Sequence, residues 1–139
     1  WSYTTEKPSK GWEAPRFNAT SWKQGKGGFG TPGTPGSKIG TVWNSGDIWL
    51  RREIELPAGA DLGHLHLWMH HDDDVEVYLN GVPAISTAGF TGDYEAFPIS
   101  KEARATLRPG TKVSVAIHCH QDHGGQYIDL GFAEVKPAK

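Results

Sequence analysis

The chain has 139 residues, with 14 Lys and Arg against 16 Asp and Glu and a net charge of −2. It therefore has no basic field to hold a polyphosphate, and nucleic acid is excluded as an expected partner. No apolar run approaches the ~20 residues of a membrane-spanning helix, and a single cysteine excludes both an internal disulfide framework and a multi-cysteine metal cluster. The length suits one domain, so residues 1–139 are expected to form one unit. A start at Trp1 without a signal peptide is expected of a module excised from a larger protein.

Helical periodicity is nearly absent. Short alternating runs punctuated by Gly, Pro, Asn and Asp predict an all-β sandwich instead. Trp12 and Trp22 read as structural aromatics. The segment Gly25–Gly46 is the least regular part of the chain and contains GGFGTPGTPG at 27–36. A phosphate cradle needs a strand before it and a helix opening behind it. Here a strand follows, so a long binding or packing loop is expected, with Trp43 near its end as a candidate stacking surface.

The clearest strand is DIWLRREIELP at 47–57, where Ile48, Leu50, Ile54 and Leu56 share one face and Trp49, Arg51, Glu53 and Glu55 the other. Arg52 interrupts the apolar face and needs a route to water. In HLHLWMH at 64–70, Leu65, Leu67 and Met69 suit the core, while His64, His66, Trp68 and His70 point away. VEVYL at 75–79 alternates likewise and ends at Asn80-Gly81, a pair that tolerates the positive φ of a tight hairpin. A short helix over 101–107 is predicted, capped by Ser100 and stopped by Pro109-Gly110. Strands 112–120 and 127–135 complete the pattern. In the first of these, Val113, Val115, Ile117 and Cys119 face inward and His118 and His120 outward.

Two polar groups carry candidate chemistry. His70-His71-Asp72-Asp73-Asp74 lies between two strands, and its three adjacent carboxylates repel one another unless something offsets them. Solvated turn residues, glycan hydrogen bonding or a hard cation such as Ca²⁺ on Asp72, Asp73 and Asp74 would each do so. His118 and His120 share a face two residues apart, a spacing open to a metal, to sugar hydroxyls through imidazole and Gln121, or to plain packing. With His70 or an Asp they would make a three-ligand zinc site. Cys119 reads as an inert buried thiol, because both neighbouring histidines point to the opposite face. Six tryptophans offer flat faces that stack on sugar rings; Trp49 and Trp68 lie opposite the core face.

The order FNATSW, WLRREIELP, VEVYLNG, the short helix ending RPG, KVSVAIHCH and YIDLGF resembles the jelly-roll sugar-binding domain of family 2 glycoside hydrolases, within the galactose-binding-like superfamily, over roughly Trp12 to Val135. That resemblance implies an all-β jelly-roll sandwich with long loops and one short helix. It further implies an accessory role beside a covalently linked catalytic domain that carries the reactive carboxylates. It also implies that the loops Gly25–Gly46 and Gln121–Gln126 meet at one end of the sandwich. If the His70–Asp74 segment shares that end, Trp43, His70, Asp72, Asp73, His118, His120 and Gln121 would line one pocket.

Three functions follow as expectations. The first is a noncatalytic module, extracellular or periplasmic, that binds an oligosaccharide or polysaccharide and needs no cofactor beyond a structural Ca²⁺. The second is a structural domain packed beside a glycoside hydrolase barrel. The third is a small metal-dependent enzyme using His70, His118, His120 and a neighbouring Asp.

Overall fold

The computed structural model describes residues 1–137. Eleven strands run in chain order: β1 (Ser2–Thr4), β2 (Lys23–Gln24), β3 (Phe29–Gly30), β4 (Thr41–Val42), β5 (Asp47–Glu55), β6 (Leu65–Asp72), β7 (Asp74–Leu79), β8 (Val82–Thr87), β9 (Glu95–Pro98), β10 (Lys112–His120) and β11 (Tyr127–Glu134). They form two sheets, β2-β1-β5-β10-β7-β8 and β4-β3-β11-β6-β9. Pairing is antiparallel apart from β3 with β4, which is parallel. This is the all-β sandwich that the alternation predicts.

The inward faces meet as expected. Ile48 and Leu50 of β5, Val75, Val77 and Leu79 of β7, and Val113, Val115, Ile117 and Cys119 of β10 pack against Leu65, Leu67 and Met69 of β6 and Ile128 and Leu130 of β11. Cys119 is a free, buried thiol, and burial pushes its pKa well above the ordinary value. The predicted hairpin at Asn80-Gly81 is present, with φ of 50° and 81°. The helix is a single turn, α1 (Lys101–Arg104), and Ser100 Oγ accepts from the Ala103 N–H at 3.1 Å as its cap.

The outward faces differ from the expectation of half-buried strands. Trp49, Arg51, Ser114 and Ala116 have outward parity yet are buried; Arg51 lies under the irregular segment between β1 and β2, and Trp49 is stacked by the His118 ring. The Arg51 guanidinium, 9% exposed, donates to the carbonyls of Trp12 (2.6 Å) and Pro15 (3.3 Å). Trp12 in turn packs edge-on against Tyr78 at 5.6 Å. Arg52 leaves the core side for solvent and lies over the Trp1 ring at 5.9 Å. The segment between β2 and β5 covers part of the second sheet in the same way.

At one end of the sandwich the termini of five strands converge. Asp47, His120 and Asp74 are in register across β5, β10 and β7, and Tyr127 pairs with Asp72. As the resemblance implied, the two long connections meet here. The Gln126 N–H donates to Thr34 Oγ1 (3.1 Å), Gln126 Nε2 to the Ser45 carbonyl (3.0 Å), and the Gln121 N–H to the Gly46 carbonyl (2.7 Å).

Candidate functional site

A cleft of about 700 Å³ opens at this end, lined by Asp72, Asp73, Asp74, the Ala88–Gly92 connection, Asp122–Gly125 and Pro35. Its floor follows from the sequence: β6 runs through Asp72 and β7 starts at Asp74, so three carboxylates crowd a one-residue turn. Backbone donors offset part of their charge. Asp73 Oδ2 accepts from the backbone N–H groups of Asp122 (2.7 Å) and His123 (3.2 Å), and Asp74 Oδ1 from that of Gly89 (2.8 Å). Asp72, 7% exposed, is instead biased towards its protonated form. Burial and its hydrogen bond to Asp73 push its pKa up to about 7. At the rim Phe90 is 69% exposed.

The raised pKa has a measurable consequence. An unfolded Asp ionises near 3.8, whereas Asp72 in the fold holds its proton to about 7. Between those values the folded state binds the extra proton. Its contribution therefore strengthens the fold as pH falls from about 7 towards 4, and is lost as pH rises through about 7. Asp72→Asn should remove this dependence. Between about pH 5 and pH 8, urea unfolding of the native chain should show a loss of about 2 kcal/mol beyond that of the variant. Equal losses in both would refute the assignment.

The seven expected pocket residues do not come together. Asp72 and Asp73 line the cleft. His118 and His120 sit on the outer face of the first sheet, in a separate depression shared with Asp74, Glu76, Ser86 and Thr87. There Asp47 Oδ1 lies 2.8 Å from His118 Nε2 and 2.9 Å from His120 Nδ1, while His118 Nδ1 lies 3.2 Å from Glu76 Oε1. Trp49 stacks on the His118 ring at 4.7 Å and 1°. Burial works against the Asp47 carboxylate, but its hydrogen bonds to the two imidazoles outweigh this and hold its pKa below the ordinary value. The same hydrogen bond raises the pKa of His120.

His70 lies on the outer face of the other sheet and is fully enclosed, so it cannot join His118 and His120 on one zinc ion. Gln121 folds back to donate to the Gly124 carbonyl at 2.9 Å. Trp43 is a correction: it is 2% exposed, within the core cluster, and its faces are closed to a sugar ring. Among the described residues no group of three or more His, Cys, Asp or Glu is placed to hold a metal ion, and Asp72, Asp73 and Asp74 are engaged as described above.

Sequence reasoning missed Phe90, Asp122 and His123 at the cleft and Asp47 and Glu76 beside the histidines. Phe90 carried a signal, a lone aromatic between turn residues in AGFTGD. Asp47 and Glu76 become partners of His118 and His120 through strand register, which the sequence does not display.

No family model matches the chain, and no curated protein matches it. Solved structures do share its fold. A glycoside hydrolase family 2 member from Bacteroides cellulosilyticus superimposes with a TM-score of 0.63 at 14% identity, over 96% of this chain and 20% of that one. Bacteroides uniformis β-glucuronidase 2 gives 0.62 at 17% identity, over 95% and 16%. A further family 2 β-glucuronidase gives 0.56 at 18% identity, over 89% and 13%. The chain thus has the β-sandwich fold found in a part of family 2 enzymes, as the sequence resemblance implied, and spans a fifth or less of their length.

Proposed function

We propose that this chain is a noncatalytic accessory module of a carbohydrate-active enzyme, and that it holds a glycan in the cleft at the end of the sandwich. The observation that carries this reading is the open Phe90 ring beside the carboxylates of Asp73, Asp74 and Asp122. The apolar face of a pyranose stacks on an aromatic ring, while carboxylate oxygens accept from its hydroxyls. Asp72 and Asp73 do not form a hydrolytic pair, because glycosidase carboxylates stand at least ~5 Å apart with the sugar between them. These two are chain neighbours whose carboxyl groups interact closely enough to raise the pKa of Asp72, leaving no room for a sugar between them. The fold's place within much longer family 2 chains supports a covalently linked catalytic domain in the parent protein; an oligosaccharide or polysaccharide target and a place outside the cytoplasm belong to the proposal itself.

Affinity gel electrophoresis against a panel of soluble polysaccharides tests this. One glycan should retard the protein equally with and without EDTA, and Phe90→Ala, correctly folded, should weaken the interaction about tenfold. A second reading, a structural module docked on a catalytic barrel, is favoured by the exposure of Phe90 and Val42, both large and apolar. Absence of retardation across the panel would select it.

A further inference from the structure

His70 is 0% exposed, and neither of its ring nitrogens has a hydrogen-bond partner. Its ring lies 4.6 Å from that of Tyr127 and 5.7 Å from that of Tyr94. Two segments distant in sequence meet above it. Gly36, at φ +74°, approaches so closely that an added Cβ would stand 3.4 Å from His70 Cε1 and 2.3 Å from the Gly92 carbonyl oxygen. Thr91 is tied to the neighbouring strand residue, its N–H donating to the His71 carbonyl at 2.8 Å. Pro35 and residues 88–92, which belong to these same two segments, are walls of the cleft.

We infer that His70 is an acid-sensitive latch: neutral, it is the floor on which the segments around Gly36 and Gly92 close, and protonated, it releases both and widens the cleft. A neutral imidazole leaves one N–H donor to bury, whereas an imidazolium leaves two donors and a charge, which are strongly disfavoured without partners. The charged and titratable groups around the ring are Asp93 and Tyr94 on one covering segment, Tyr127 and Asp129 on β11, and His71 and Asp72 on β6 itself. Residues 31–37 carry no charged side chain. The Thr91 backbone, which approaches the ring without closing a hydrogen bond of ordinary geometry, favours the proton most, and the carboxylates of Asp93 and Asp129 add to it; but Asp129 Oδ2 already accepts from the Tyr94 hydroxyl at 2.5 Å, and burial prevails in lowering the pKa of His70.

The least disruptive way to hydrate a charged His70 is to lift the two covering segments, because β6 and β11 are held to each other by a continuous ladder from Tyr127–Asp72 to Glu134–Leu65. The unfolded or opened ring binds its proton near the ordinary value of 6.5. Opening therefore grows as pH falls below that value and is suppressed above it.

Hydrogen exchange of the whole chain at about pH 7.5 and pH 5.0, corrected for intrinsic rates, tests the latch without needing a ligand. Amides of residues 31–37 and 88–94 should lose about tenfold or more of their protection in acid, while β5 and β10 keep theirs. His70→Phe should abolish the acid loss. Should that variant fail to fold, a side-chain NMR titration of the native protein decides, with His70 titrating below the ordinary histidine value of 6.5 and in step with the segment opening. Unchanged protection in acid, an equal loss over all strands, the same loss in His70→Phe, or titration of His70 at an ordinary value with both segments closed would each overturn the inference.

Discussion

Trp43→Ala should lower folding stability by about 3–5 kcal/mol, the largest effect expected of a single substitution here. The indole is among the largest fully buried side chains, within the core cluster that joins the two sheets. Its Nε1–H donates to Ser45 Oγ at 3.2 Å, and its backbone N–H to the Gly30 carbonyl at 2.9 Å. Alanine keeps the backbone bond but leaves a void too apolar for water to fill well. Urea unfolding measures the loss. A cost below about 1 kcal/mol, accompanied by loss of glycan binding, would return Trp43 to the surface as a stacking platform.

Arg51→Met should cost about 2–3 kcal/mol, whereas Arg52→Met, one residue on, should change stability by less than about 0.5 kcal/mol. Methionine retains most of the apolar stem but leaves the carbonyls of Trp12 and Pro15 without their charged donor. It also removes the guanidinium that lies 5.6 Å from the Phe17 ring centroid. The segment that covers the first sheet depends on these contacts, so residues 11–17 should also become sensitive to limited proteolysis. Equal effects of the two substitutions would show that the segment is held by its aromatic contacts, Trp12 on Tyr78 and Phe17 on Trp22.

The contrast between these arginines illustrates what was legible beforehand. Period-2 alternation gave the inward faces of β5, β6, β7 and β10 correctly, and local chemistry gave the Asn80-Gly81 turn and the Ser100 cap. Parity states which way a side chain points but not whether something lies over it. Arg51 and His70 are buried on outward faces because irregular segments far away in sequence cross above them. The two-residue strands β2, β3 and β4 are too short to show a period. Pro83 obscured β8, which tolerates it as an edge strand. At the site, the crowding of Asp72, Asp73 and Asp74 was visible as a conflict of charge. Its resolution was not, since it relies on backbone N–H groups from two other connections and on a proton retained by Asp72.

That mode of attachment bears on how the cleft can change over evolution. Asp73 and Asp74 grip residues 89, 122 and 123 through main-chain amides, a group that every residue except proline possesses. The side chains displayed along both walls are thus uncoupled from what fastens those walls to the sandwich. New recognition surfaces can be written onto positions 88, 90, 122 and 123 without renegotiating the anchor, so one scaffold can serve parent enzymes with different targets.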